Sequence, residues 1–425
     1  MVLKRVSATI LIKLLSAVIA LLSVPILLSI LSVEGYGVWA ALTSVIGWIT
    51  LFDFGMGYAI KNTVSRGLAN NDYSPAKNEV IQTFRFMVIV CIFILCLFVV
   101  GLNTISVLQE NKLVSCILIL PVIVIFPLTL GAMILQGANK FILQSLIMVC
   151  PPLVFIAYLL VIGFLDIRAN MAEVAVVFVT LNIIAIFSVW QFSSKIIGLS
   201  VIRDMKKLFT GSIFFSRLKV GIRFFILQLS SLILYSVGTM LTIENTNSET
   251  AAYYDVVNKV YMFGLTLFNV GIAVFWTEIS VSLERKDFMK IKRLYLLNVL
   301  LTAAFILGCF IFSFMAPYFI DLWTRGKVIV DVDSTFIFCA LVSAQAFAYA
   351  GAVFLNAFER ISVQMAISVF SLFAMFPLSQ LFFNNDYGMV SVPIAAFILT
   401  IPSVFYCNFH AVYLIKGGLS DAKNS

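Results

Sequence analysis

The chain has 425 residues, of which 62% are hydrophobic and only 11% charged, and its mean hydropathy is +1.08. No soluble fold of that length covers so apolar an interior, so the composition excludes a water-soluble enzyme and calls for a polytopic helical membrane protein. The net charge of +8 does not point to nucleic acid, because the basic residues sit in short loops beside apolar runs, where membrane orientation accounts for them.

Twelve apolar stretches are long enough to cross roughly 30 Å of hydrocarbon at 1.5 Å per residue. They cover 6–31, 38–60, 84–102, 113–136, 142–164, 173–192, 224–243, 256–280, 295–316, 334–356, 363–383 and 389–414. The first has the basic flank of a signal peptide, but its apolar run is too long and lacks a small-residue cleavage site, so it is expected to remain as a span. Prolines at 25, 121, 127, 151, 152, 377, 393 and 402 interrupt spans and permit kinks. Twelve crossings place both termini on one side. Of the 28 basic residues, 22 fall in segments facing that side, and four (Lys112, Arg168, Arg325, Lys327) fall in the opposite loops. The basic side is therefore expected to be the cytoplasm. The polar segment 193–221 separates six spans from six, which gives an expected N-terminal lobe of 1–205 and a C-terminal lobe of 206–425.

The second span carries Asp53, a carboxylate inside the bilayer, where it costs roughly 2.5–3.5 kcal/mol and normally has a partner. Lys13 lies eight residues past Arg5 and Asp53 eight before Lys61, so both stand about 12 Å from the same surface on consecutive antiparallel spans. The two are expected to form a pair, either a structural neutralisation or a protonation or cation site coupled to motion. Gly55, Gly57 and Pro25 are the hinge candidates. The halves also repeat: Phe52-Asp53-Phe54-Gly55-Met56-Gly57 is echoed at an offset of 216 by Phe268-Asn269-Val270-Gly271-Ile272-Ala273. Gln228 and Asn269 stand where the first half has Lys13 and Asp53, so both charges vanish together. An even number of spans per half relates the lobes by an axis along the membrane normal. The expected fold is all-α, two six-helix lobes around a V-shaped central cavity.

The run L-x(3)-G-Y-G-x-W from Leu31 to Trp39, the run D-F-G-M-G-x(4)-N from Asp53 to Asn62, and the small-residue loop ending Asn71-Asp72-Tyr73 resemble the Wzx flippases of the polysaccharide-transport branch of the MOP superfamily. The motif covers about residues 31–73, and the two-lobe repeat extends the resemblance over the whole length. The resemblance implies a MATE-like fold in the bacterial inner membrane. It also implies a substrate, an undecaprenyl-diphosphate-linked oligosaccharide repeat unit carried from the cytoplasmic to the periplasmic leaflet by alternating access for O-antigen or capsule assembly. Further implied partners are H+ or Na+ as coupling ion, an O-antigen polymerase and a chain-length regulator. A drug or cation antiporter on the same fold is the nearest alternative. A polytopic O-antigen polymerase or glycosyltransferase fits less well, because such enzymes resemble proteins with a sizeable outer loop, and the longest here is 317–333.

Three cationic residues are candidates for the cavity wall. Lys259 follows Asp255 by one turn, the spacing at which helix residues pair, so it is either a salt bridge near the outer surface or a partner for pyrophosphate. Arg85 and Arg223 begin the third and seventh spans at their cytoplasmic ends, as cavity lining or as interface anchors. His410 is the single histidine and no C-x-x-C pair joins the seven cysteines, so neither a metal nor a cofactor is expected, and no enzymatic activity.

Overall fold

Inside hydrocarbon every backbone N–H and C=O has to be satisfied within the protein, and the apolar runs of this chain accordingly fold as helices. The structure is a computed structural model that describes residues 2–199 and 236–424, apart from 51, 53, 55, 166, 168, 359 and 361. Among the described residues, nine helices are long and apolar enough to cross a membrane. One of the nine, Leu14–Ile49, takes in most of the first expected span and the first half of the second, and beside the nine stands the 37-residue helix Ser248–Glu284 over the eighth. Most of the seventh expected span, 224–243, lies outside the described residues. By internal contacts the chain divides into Met1–Leu229 and Ser230–Ser425, and the expected boundary at 205/206 also lies outside the described residues.

The first unit contains α1 (Val2–Ile49), α2 (Met56–Asn70), α3 (Ser74–Thr104), α4 (Ser106–Glu110), α5 (Lys112–Ile125), a 3-10 turn (Phe126–Thr129), α6 (Leu130–Gly137), α7 (Phe141–Phe164) and α8 (Met171–Ile196). Two expectations need correcting here. The outer loop expected over 32–37 shrinks to one non-helical residue, Ser32, at φ 66 and ψ 174. Its Oγ accepts the Gly35 N–H at 3.3 Å, so Ser32 ends one helical stretch and caps the next. The second expected span, 38–60, is not one helix. α1 stops at Ile49 and α2 starts at Met56, with Phe54 between them in the left-handed region at φ 52. A bulky side chain rarely adopts that backbone. Here the Phe54 ring packs edge-on against Phe86, with centroids 5.5 Å apart, and against Phe52 at 6.4 Å.

The fourth expected span is broken as well. Pro127 has no N–H to return to Ile123, whose carbonyl oxygen instead accepts the Phe126 N–H and the Cys91 thiol, and the chain tightens into the 3-10 turn before α6. α6 packs tightly against α2 through Gly137: a Cβ there would lie 2.6 Å from the Lys61 carbonyl oxygen. Ser65 Oγ donates to the Gly137 carbonyl at 3.0 Å across the same contact.

The second unit contains α9 (Gly238–Asn245), α10 (Ser248–Glu284), α11 (Phe288–Thr324), α12 (Val332–Ala357), α13 (Ser362–Phe383), a 3-10 turn (Gly388–Val390) and α14 (Ser391–Asn424). The most enclosed of these is α12, with Phe338, Val342, Ala346, Val353, Phe354 and Leu355 fully buried. Two amides clamp it from opposite neighbours. Asn298 on α11 donates to the Ala350 carbonyl, and Asn408 on α14 donates to the Phe347 carbonyl, each at 2.9 Å. Such neutral side-chain bonds to backbone join helices where no hydrophobic force acts between them and lipid. Phe268 to Ala273, the echo of the broken Phe52–Gly57 run, lies inside uninterrupted α10, so the two halves differ in backbone where their sequences repeat.

Candidate functional site

Charge in an apolar helix has to find a partner, and α10 shows how this chain supplies one. Lys259 Nζ sits 2.6 Å from Asp255 Oδ2, one turn away. The carboxylate is nearly buried, its side chain 10% exposed, whereas the ammonium side chain is 38% exposed. Thr239 on α9 approaches the other carboxylate oxygen at 3.5 Å. The contact between α9 and α10 is close at this level, because Gly238 leaves room for the Tyr254 hydroxyl. The i, i+4 pairing expected from sequence is thus present, and the half-open ammonium keeps one side toward its surroundings.

Arg85, the second cationic candidate, is half-buried on α3 in the first unit. The third, Arg223, lies outside the described residues, as do Asp53 and Gly55. Lys13 belongs to α1, but its side chain and Asp53 both lie outside the description, so the expected pair is not among the described contacts. Gly57 is buried in the first turn of α2, and Pro25 lies inside α1 seven residues before the kink at Ser32. The break between Ile49 and Met56 qualifies the depth argument for Asp53, because a constant rise counted back from Lys61 holds only as far as Met56.

Sequence reading missed a polar group of contacts on α2 and α3. Thr63, 8% exposed, donates to Glu79 Oε2 at 2.6 Å, and Arg66 Nη2 reaches the same hydroxyl at 3.3 Å. Lys61 places its ammonium 5.3 Å from the centroid of Phe141, and Lys77 donates to the Gly198 carbonyl at 2.9 Å. Four basic residues on two adjacent helices, Lys61, Arg66, Lys77 and Arg85, were visible in the sequence as a charge count. The bond from Thr63, which Arg66 also reaches, to Glu79 was not, because sixteen residues and a turn separate the two partners.

Asp72 lies in that turn, and its Oδ1 accepts the Ser74 N–H at 2.9 Å. That backbone bond, with the Ser74 hydroxyl, holds the carboxyl below its ordinary value. The arrangement offers cationic groups at one end of the first unit and a half-open ammonium in the second. It assembles no group of three or more metal-ligating side chains among the described residues.

The family profile described as polysaccharide biosynthesis protein matches residues 2–276. An O-antigen export protein of Yersinia pseudotuberculosis is 41% identical over 59 residues, a match spanning 14% of each chain. Among solved structures, an inward-facing multidrug resistance MATE transporter of the MOP superfamily superposes with a TM-score of 0.73 at 14% identity, covering 95% of this chain and 96% of that one. An outward-facing MATE transporter of the same superfamily gives 0.62 at 14% identity over 98% and 96%. A Pyrococcus furiosus MOP transporter, described as having a binding pocket of reversed polarity, gives 0.60 at 14% identity over 97% and 94%.

Proposed function

The chain belongs to the polysaccharide biosynthesis protein family and has the fold of MOP-superfamily transporters, and from that premise we propose that it flips lipid-linked oligosaccharides across the bacterial inner membrane. The transported molecule in this reading is an undecaprenyl-diphosphate-linked repeat unit, carried from the cytoplasmic to the periplasmic leaflet for O-antigen or capsule assembly. The observation that supports the reading is the family match over 2–276 on a chain with the fold of MOP-superfamily MATE transporters.

The physical problem is to move a diphosphate through hydrocarbon. A cavity wall that presents ammonium or guanidinium groups replaces part of the water that the diphosphate sheds. Lys259, Arg85 and Arg223 are the groups proposed for that wall, and Lys259 keeps an exposed face although Asp255 binds it. Alternating access would rock the lobes, 1–205 and 206–425 in this reading, about hinges at Pro25, Gly55 and Gly57. Asp53 and Lys13 would form either the coupling site for H+ or Na+ or a structural pair. Both termini would lie in the cytoplasm, with a polymerase and a chain-length regulator receiving the product.

A strain deleted for the gene tests the reading by lipid analysis. Lipid-linked repeat units should accumulate facing the cytoplasm, with surface polysaccharide lost. Unchanged glycolipids together with altered dye efflux would replace it with the drug-antiporter alternative.

A further inference from the structure

The two broken spans of the first unit leave a space beside them. α1 ends at Ile49, and α5 gives way to the turn at Phe126–Thr129; between these ends and α8 lies a cavity of about 210 Å³. Val122, Phe126, Ala132, Met148, Phe178 and Val189 are among its walls, and only Thr50, Thr129 and Asn182 of its lining residues are polar. Each of those three donates to a carbonyl of its own segment: Thr50 to Gly47 at 2.7 Å, Thr129 to Phe126 at 2.6 Å and Asn182 to Phe178 at 2.8 Å. Both threonine hydroxyl hydrogens and one Asn182 N–H are therefore engaged, which leaves the other Asn182 N–H and its Oδ1 as the main polar remainder of an otherwise apolar wall. A water needs two to four polar partners, whereas apolar cavities stay dry and take up apolar molecules. This one exceeds the roughly 150 Å³ space that admits benzene. It is also not sealed, since Met148 is 36% exposed and Thr50 is exposed at its rim.

We infer that this cavity takes the end of the isoprenoid chain of the lipid-linked substrate. The inference rests on the flippase reading, which supplies a lipid with such a chain. Hydrocarbon enters the cavity from the bilayer without giving up hydration, so entry costs no desolvation of the ligand. Bilayer phospholipid is the competing source of hydrocarbon. Its chains are anchored close to a headgroup fixed at the surface, while an undecaprenyl chain is far longer and its free end reaches sideways into the bundle with the diphosphate still at the interface. The cavity then acts on the lipid rather than on the sugar, and is indifferent to the repeat unit attached.

The full chain is reconstituted in phosphatidylethanolamine and phosphatidylglycerol vesicles with a polyprenyl diphosphate that carries a diazirine at its far end. Irradiation should leave adducts on 122–132 and 178–189. Ala132→Trp, or Val189→Trp projecting into the space from α8, should sharply reduce them, whereas Val124→Phe, at a site 74% exposed on α5, should not. Undecaprenyl phosphate should compete for the label and excess phospholipid should not. Adducts confined to outward-facing residues, or unchanged in both filled variants, overturn the inference. So does equal labelling of the cavity by a diazirine phospholipid that undecaprenyl phosphate fails to displace. Transport of a lipid-linked oligosaccharide is followed in the same vesicles: transport without cavity adducts sinks this inference alone, and the absence of both sinks the flippase reading with it.

Discussion

Asp255 and Lys259 illustrate what a membrane helix demands of single residues. Removing the ammonium by Lys259→Met takes the nearest cation from a nearly buried carboxylate whose neighbours include the Thr239 hydroxyl at 3.5 Å. Breaking a buried pair costs about 3–5 kcal/mol, but this ammonium is half-open, so a loss of about 1–3 kcal/mol is expected. Asp255→Asn combined with Lys259→Met should recover most of it. The thermal midpoint of the purified protein in detergent reads both values, and a double variant as depressed as the worse single would show that the two are not partners. The same logic applies to Lys13 and Asp53: Asp53→Asn and Lys13→Gln alone should lower the amount of folded protein, and the double variant should restore it. Restored protein without export would assign the pair to coupling, restored protein with export to structure, and no restoration would end the pairing. The pair on α10 was legible from spacing alone, since i, i+4 on one helix fixes proximity. The contact of Thr63 with Glu79 was not, because tertiary packing sets it.

Elements were legible wherever hydropathy speaks for them, and illegible where it does not. The long helices α3, α7, α8, α11, α12 and α13 each contain an expected span, because an apolar run in lipid has no stable form but helix or closed barrel. The interruption between α1 and α2 was legible only as the hinge candidates Gly55 and Gly57, because hydropathy carries the apolar run on from 38 to 60 and does not show where a helix stops. Pro127 did mark the break before α6, because a missing N–H is written in the sequence. How closely helices approach is decided by single glycines. A Cβ on Gly351 would stand 2.7 Å from the Cys407 carbonyl carbon on α14, and the obstacle is backbone. Gly351→Ala should therefore push α14 away, loosen the Asn408 bond to Phe347 and cost about 1–3 kcal/mol, read as a lower thermal midpoint; an unchanged midpoint would mean that the helices do not pack as described.

Capping at the start of α12 gives a pH dependence. Asp331 accepts the Ser334 N–H at 2.8 Å and the Ser334 hydroxyl at 2.6 Å. Desolvation raises its carboxyl, but the Ser334 hydrogen bonds outweigh that and hold it below the ordinary value of 3.8. A carboxyl depressed in the folded state contributes stability above the unfolded value and loses it as pH falls through the folded one. Asp331→Ala should cost about 1 kcal/mol near neutral pH, and the difference from the parent should shrink below about pH 4. A difference that is constant from pH 7 to pH 3 would count against the cap.

At the scale of the whole molecule, α10 and α11 turn topology into a measurement. α10 has 37 residues, so at 1.5 Å each it spans about 55 Å, well beyond a hydrocarbon core of about 30 Å. Asn247, whose side chain caps the start of α10 by accepting the Thr250 N–H at 2.7 Å, and Met289 at the start of α11 therefore lie on opposite sides of any bilayer that α10 crosses. The charges choose which side is which. Arg285, Lys286, Lys290, Lys292 and Arg293 crowd the turn from α10 to α11, with Glu278 bridged to Lys290 at 2.8 Å, whereas Glu244 and Glu249 flank Asn247. Basic loops stay in the cytoplasm, and acidic residues contribute little to the choice. A periplasm-active reporter fused at Asn247 should be active and one fused at Met289 silent, with a cytoplasm-active reporter giving the converse. Activity on the same side at both sites would mean that α10 does not cross, and the fold assignment of the second unit would fail. Opposite sides in the reverse sense would keep the fold of the second unit and overturn the proposed orientation with the basic turn in the cytoplasm.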